Sequence, residues 1–179
     1  YRNSQIMGIK RYTANADTTI TNAYKANLNT RATGSNMGLA DSLEVFHIFG
    51  QESSTSAENS RILIDFPVTT TITSDRSAGT IPASGSVSWF LRVHNVVHPG
   101  TLPRNYNMTI SAVSRSWDEG TGLDMEGYTD SGSCNWTSAA SSSGGDISWT
   151  TAGGDYHAAA TGSTAYFDNG TEDIEIDIS

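Results

Sequence analysis

Ile174-Glu175-Ile176-Asp177-Ile178 sets an apolar side chain at every second position with a carboxylate between each pair. An extended strand turns that two-residue period into one apolar face and one acidic face. Val87-Ser88-Trp89-Phe90-Leu91-Arg92-Val93 repeats the period, with Val87, Trp89, Leu91 and Val93 on one face. Ser88, Phe90, Arg92 and His94 fall on the other. In the stretch 106–117, Tyr106, Met108, Ile110 and Ala112 share a side. Two further runs complete the set: Leu43-Glu44-Val45-Phe46-His47-Ile48-Phe49 stops at Gly50, and Arg61-Ile62-Leu63-Ile64-Asp65-Phe66 stops at Pro67. The expected core comprises the Val87–Trp89–Leu91–Val93 face, then Ile62, Ile64 and Phe66, then Ile174, Ile176 and Ile178.

Turn chemistry separates these runs, in Gly34-Ser35-Asn36-Met37-Gly38, Ile81-Pro82-Ala83-Ser84-Gly85 and Ser141-Ser142-Ser143-Gly144-Gly145. No window of about 11–18 residues carries the helical period. The pattern predicts an all-β chain, a two-sheet antiparallel β-sandwich of jelly-roll type with long Ser/Gly-rich loops. Residues 1–15 form an N-terminal extension and residues 16–179 a single domain, a size that suits one hydrophobic core. The chain starts at Tyr1 rather than Met, which fits a start inside a longer or processed polypeptide, with Met7 as another candidate start.

Composition agrees with strands and turns. Only 16% of residues are charged while 36% are hydrophobic, and the apolar residues cluster, which argues against disorder. The net charge is −9, unevenly spread. All ten Lys and Arg precede residue 117, and the twelve carboxylates after that point have no basic residue among them. Such an acidic half keeps a protein in solution, binds cations or docks on a basic partner. No basic stripe is present for nucleic acid, and no apolar run approaches the about 20 residues of a membrane span. A lone cysteine, Cys134, rules out an intrachain disulfide and reads as a small, partly buried residue.

The densest acidic stretch is Trp117-Asp118-Glu119-Gly120-Thr121-Gly122-Leu123-Asp124-Met125-Glu126-Gly127, with Asp130 close behind. Oxygen ligands on a glycine-rich loop suit Ca²⁺, which makes Asp118, Glu119, Asp124, Glu126 and Asp130 the candidate ligands. The EF-hand spacing is absent, and the plainer reading is an ordered acidic loop. Trp136 and Trp149 lie in the Ser/Gly/Ala-rich stretch 130–165 and are the candidates for an exposed sugar-stacking platform, or else pins for long loops. Trp89 sits on an apolar strand face and is expected in the core. His94 and His98 are four apart on a strand that runs into Pro99, so they do not share a face as zinc ligands would on a helix. Asn107, Asn135 and Asn169 begin glycosylation sequons of the kind that arise by chance in a chain rich in Asn, Ser and Thr. Ser84-Gly85-Ser86 and Ser131-Gly132-Ser133 are turn sequences, not nucleophile elbows, and no catalytic residues are assigned.

The order of motifs resembles the DNRLRE-type jelly-roll domain. Asp17-Thr18-Thr19-Ile20 is followed by Gly34-Ser35-Asn36-Met37-Gly38, then by Ser60-Arg61-Ile62-Leu63-Ile64-Asp65-Phe66 and the Ile81-Pro82 turn. Ser116-Trp117-Asp118-Glu119-Gly120 is similar to the family's Trp-x-Glu-Gly corner, and Asn135-Trp136, Trp149-Thr150 and Ile176-Asp177-Ile178-Ser179 close the series. The phrases around Asn36-Met37-Gly38 and Glu119 to Glu126 are most similar to virion structural proteins of tailed phages from aquatic environments. The resemblance implies a non-catalytic virion component of neck, tail, fibre or decoration, located in the extracellular particle and assembling in multiple copies with other virion subunits. Related domains that bind carbohydrate imply the alternative, a module for cell-surface polysaccharide. Family domains continue past the Ile-Asp-Ile-Ser strand, so the resemblance also implies a domain short of its last strand, completed by polypeptide outside these residues.

Overall fold

The computed structural model describes residues 8–97, 100, 102–126, 133–157 and 163–179. Asp130, His98 and Met7 lie outside the described residues. The architecture is all-β. The strands are β1 (Ala16–Thr21), β2 (His47–Phe49), β3 (Ala57–Asp65), β4 (Phe90–Val93), β5 (Tyr106–Ile110), β6 (Ser138–Ser142), β7 (Gly145–Ser148), β8 (Ser163–Phe167) and β9 (Ile174–Asp177). They form small open sheets, a three-stranded one in the order β1-β3-β2 and the antiparallel pairs β4-β9, β5-β8 and β6-β7. The Ser163 hydroxyl donates to the Asp177 carbonyl, which brings the ends of β8 and β9 side by side.

Among the described residues, one helical stretch interrupts the strands. A π-helical turn, Val68–Ile72, runs into α1, Thr73–Ser77. Pro67 lacks the N–H that would continue β3, so the chain turns there. Two joined turns are too short to leave a helical period in the sequence, and none was expected.

β1 is the best-covered strand, with Thr18, Thr19, Ile20 and Thr21 all fully buried. It pairs antiparallel with β3, with Thr18 opposite Leu63 and Ile20 opposite Arg61. That shared face meets the core of Ile20, Leu63, Cys134, Trp136, Ala139 and Trp149, against which Val113 and Trp117 pack. The opposite face is polar. There Thr19 accepts the Glu44 N–H at 3.0 Å, while Ser60 accepts the Phe46 N–H at 2.7 Å and donates to the Glu44 carbonyl at 3.1 Å.

β3 corrects the expected core. Ile62, Ile64 and Phe66 are half-buried, whereas Leu63, of the opposite parity, is buried. The hydroxyl-lined face takes the even positions, and the tryptophans take the odd ones. The run 43–49 contracts to the three exposed residues of β2. In 106–112 the alternation holds through Ile110, but Ala112 is exposed and Ser111 half-buried. In 87–93 and 174–178 it holds in phase, though not in depth. Val87, Trp89, Leu91 and Val93 are half-buried, as are Ile174, Ile176 and Ile178, and the residues between them are exposed.

Candidate functional site

The acidic segment that follows Trp117 is pinned to β1 and its neighbours by its own carboxylates. Glu119 Oε1 accepts the Asp17 N–H at 2.9 Å, across 102 residues of sequence. Burial, and then the Glu119 charge, push the Asp17 carboxyl above its ordinary value. Both oxygens of Glu126 accept the Ala26 N–H, at 3.0 and 2.9 Å. Asp124 Oδ1 accepts the Glu126 N–H at 2.9 Å, and Asp118 Oδ2 faces the Ser141 N–H at 3.4 Å. The candidate calcium ligands Asp118, Glu119, Asp124 and Glu126 are thus turned toward backbone amides of different segments. Among the described residues, no three His, Cys, Asp or Glu side chains gather as a metal site.

Backbone contact locks the same segment to the turn at 36–39. The Oδ1 of buried Asn36 accepts the N–H of Gly38 at 3.2 Å and of Gly122 at 2.8 Å, and the Leu39 N–H reaches the Gly122 carbonyl at 2.9 Å. Two glycines make this approach feasible. A Cβ on Gly122 would lie 2.0 Å from the Asn36 carbonyl oxygen, and one on Gly38 would lie 2.4 Å from that of Glu119.

Trp136 and Trp149 do not form an exposed platform. They are 8% and 5% exposed, and the Trp149 indole N–H donates to the Asn135 carbonyl at 2.8 Å. Residues 133–139 fold inward because Asn135 Oδ1 accepts the N–H groups of Thr137 and Ser138, each at 2.9 Å, which carries the following indole into the core. Arg61 covers the Trp136 ring at 5.2 Å and donates to the Gly153 carbonyl at 2.6 Å. Gly153, at φ 92°, sits where a Cβ would lie 2.9 Å from that ring. The pinning alternative describes both tryptophans. Cys134 is fully buried, and burial followed by the Asp118 charge push its thiol up to about 12, so it stays protonated. Trp89 is half-buried beside Tyr12, with ring centroids 6.3 Å apart, and Arg76 lies over it at 5.9 Å.

A cavity of about 320 Å³ opens where the segment after Gly122 crosses the end of β1. Met37, Phe46, Leu123 and Met125 supply apolar wall, and Glu44, Asp124 and Glu126 supply carboxylates. Tyr24 also lines it. Tyr24 donates its N–H at 2.7 Å to Glu58 Oε2, while Glu58 is fully buried and its Oε1 has no hydrogen-bond partner. Sequence reasoning named Asp124 and Glu126 but missed the cavity and Glu58. The one available signal was that Glu58 shares parity with Ser60 on an alternating strand, which puts it on the hydroxyl-lined face.

No family model, curated protein or solved structure matches the chain.

Proposed function

We propose that this chain is a non-catalytic structural protein of a tailed-phage virion, a neck, tail, fibre or decoration subunit that assembles with copies of itself and other virion proteins through sheet edges and loops. In this reading β1-β3-β2 belongs to one layer of a jelly-roll-like sandwich, and β5-β8-β9-β4, aligned through the Ser163–Asp177 contact, belongs to the second.

One observation carries the proposal: large apolar side chains stand exposed on short strands that, among the described residues, have an unpaired side. Phe49 on edge strand β2 is 66% exposed, and Phe90 on β4 is 56% exposed. An open edge with apolar side chains is a template for another chain, and natural proteins blunt such edges unless a partner covers them. Lys, the usual edge blocker, is absent from every strand.

The test is incorporation. Particles of the phage that encodes the chain should contain it in multiple copies by quantitative mass spectrometry. Phe49→Lys with Phe90→Lys should fold alone but be lost from particles. Particles that never contain the chain overturn the proposal.

A further inference from the structure

Charge divides this chain into three blocks. Arg2, Lys10 and Arg11 precede the first carboxylate, Asp17. From there to residue 116, seven basic residues meet seven acidic ones, and the remainder is purely acidic. The whole positive excess therefore lies in the first sixteen residues, interspersed with Ile6, Met7 and Ile9.

The root of that segment is fixed. Tyr12 donates to Asp75 Oδ2 at 2.8 Å, Lys10 pairs with the same oxygen at 3.0 Å, and the Asn15 N–H bonds the Asp65 carbonyl at 2.8 Å. Beyond this anchor Ile9 is 86% exposed. Asp65 pairs with Ala16, so the segment departs from the start of β1. The cavity beside Tyr24 lies past the other end of that strand, about 20 Å away for six residues.

We infer that the cavity framed by Met37, Phe46, Leu123 and Met125, with Glu44, Asp124 and Glu126, receives the basic, apolar-spaced leading segment (residues 1–11) of a second copy. The inference rests on the assembly reading above and names its partner. Apolar wall with carboxylates suits a Lys or Arg, which buries its methylene stem and keeps its charged end at the acidic groups. Among the described residues that frame the cavity, none is basic. The guanidinium of Arg31 stacks on Tyr24 at 4.1 Å and donates to the Asn22 and Ala57 carbonyls at 2.6 and 3.3 Å. Behind the Tyr24 backbone lies the buried Glu58 carboxyl group. Because donor segment and cavity occupy opposite ends of β1, the contact joins unlike surfaces, which two copies can exchange reciprocally in a dimer or repeat head to tail in a ring or a filament.

Sedimentation velocity of the full chain across concentration and salt tests this, using two charge-reversed variants. Arg2→Glu with Arg11→Glu reverses the segment while leaving the Lys10–Asp75 anchor, and Glu44→Lys with Asp124→Lys reverses the cavity while leaving Glu126 on Ala26. Circular dichroism confirms that each is folded. Self-association of the parent chain should weaken about tenfold or more between low and high salt, as expected of charge-guided contacts. Each variant alone should lose association, and an equimolar mixture should recover it, because both mixed contacts are again opposite in sign. Association that ignores both reversals overturns the inference and leaves the assembly reading standing on other surfaces. A chain that stays monomeric at every concentration also overturns it, and the assembly reading then stands or falls separately on its presence in particles.

Discussion

Asn36 shows what one buried side chain does here: a single amide oxygen holds the 36–39 turn and the segment through Gly122 together. Gly122→Ala forces a Cβ to within 2.0 Å of backbone, and overpacking of that kind costs about 1–3 kcal/mol or more. Urea denaturation should report it as a lowered midpoint, and an unchanged midpoint would mean that the two segments are not apposed. Trp149→Ala separates a core residue from a binding platform. Loss of a buried indole costs about 3–5 kcal/mol, so the variant should be largely unfolded or melt far lower. A variant with parental stability that has lost only glycan binding would restore the platform reading. The carboxylates of the acidic segment make a third residue-scale case. Glu119 and Glu126 are held on the Asp17 and Ala26 amides, and no ligand set gathers among the described residues, so millimolar Ca²⁺ or EDTA should leave the melting temperature unchanged. A ligand bound only by the native state raises it, and a rise of several degrees would show that those carboxylates leave their amides.

At the scale of elements, loops are closed by carboxylates that accept backbone N–H groups. Asp155 accepts the Thr150 and Thr151 N–H groups at 3.0 Å each, which with Arg115 holds its carboxyl below the ordinary 3.8. Glu172, bonded by the amides of the turn before it, lies below 4.5, and Asp173, bonded by His94 and the Asn95 N–H, lies below 3.8. A depressed carboxylate gives stability that is present above its unfolded value and lost as pH falls through its folded one. Asp17 has the opposite sign, since its raised value favours the native state as it protonates. With the depressed groups in the majority, the melting temperature should fall as pH drops below about 4.5, and Asp155→Asn should flatten that acid limb. A midpoint flat from neutral pH to 3 would refute these loop contacts. The same elements show what sequence could reveal. The β9 strand has apolar residues at one parity only, so its phase was legible. In β3, Arg61-Ile62-Leu63-Ile64 is apolar at both parities, and alternation could not choose the tryptophan side. Trp136 and Trp149 sit among Ser, Gly and Ala, which carry no period, and the Asn36–Gly122 contact joins segments 86 residues apart.

Across the whole molecule, burial is lopsided. β1 holds four consecutive buried residues and faces two buried tryptophans. In β4, β5, β8 and β9 taken together, Phe167, stacked on Tyr106 at 4.6 Å, is the one buried residue. The exposed side-chain contacts on and beside these strands, the ion pair Arg92 with Glu175 and the contact of His94 with Asp173, give little net stability in water. Local opening is cheapest where few apolar contacts are lost, so amide exchange should rank the two halves. The Thr18–Thr21 and Ile62–Ile64 amides should exchange near the rate of global unfolding, and those of Leu91–Val93 and Glu175–Asp177 at least about tenfold faster. If assembly covers the half-buried strands, the second group alone should slow in the particle or self-associated form, while the first is unchanged. Equal protection of both groups in the free chain would remove the physical reason for a partner on that side, because the strands would already be as stable alone as the core is.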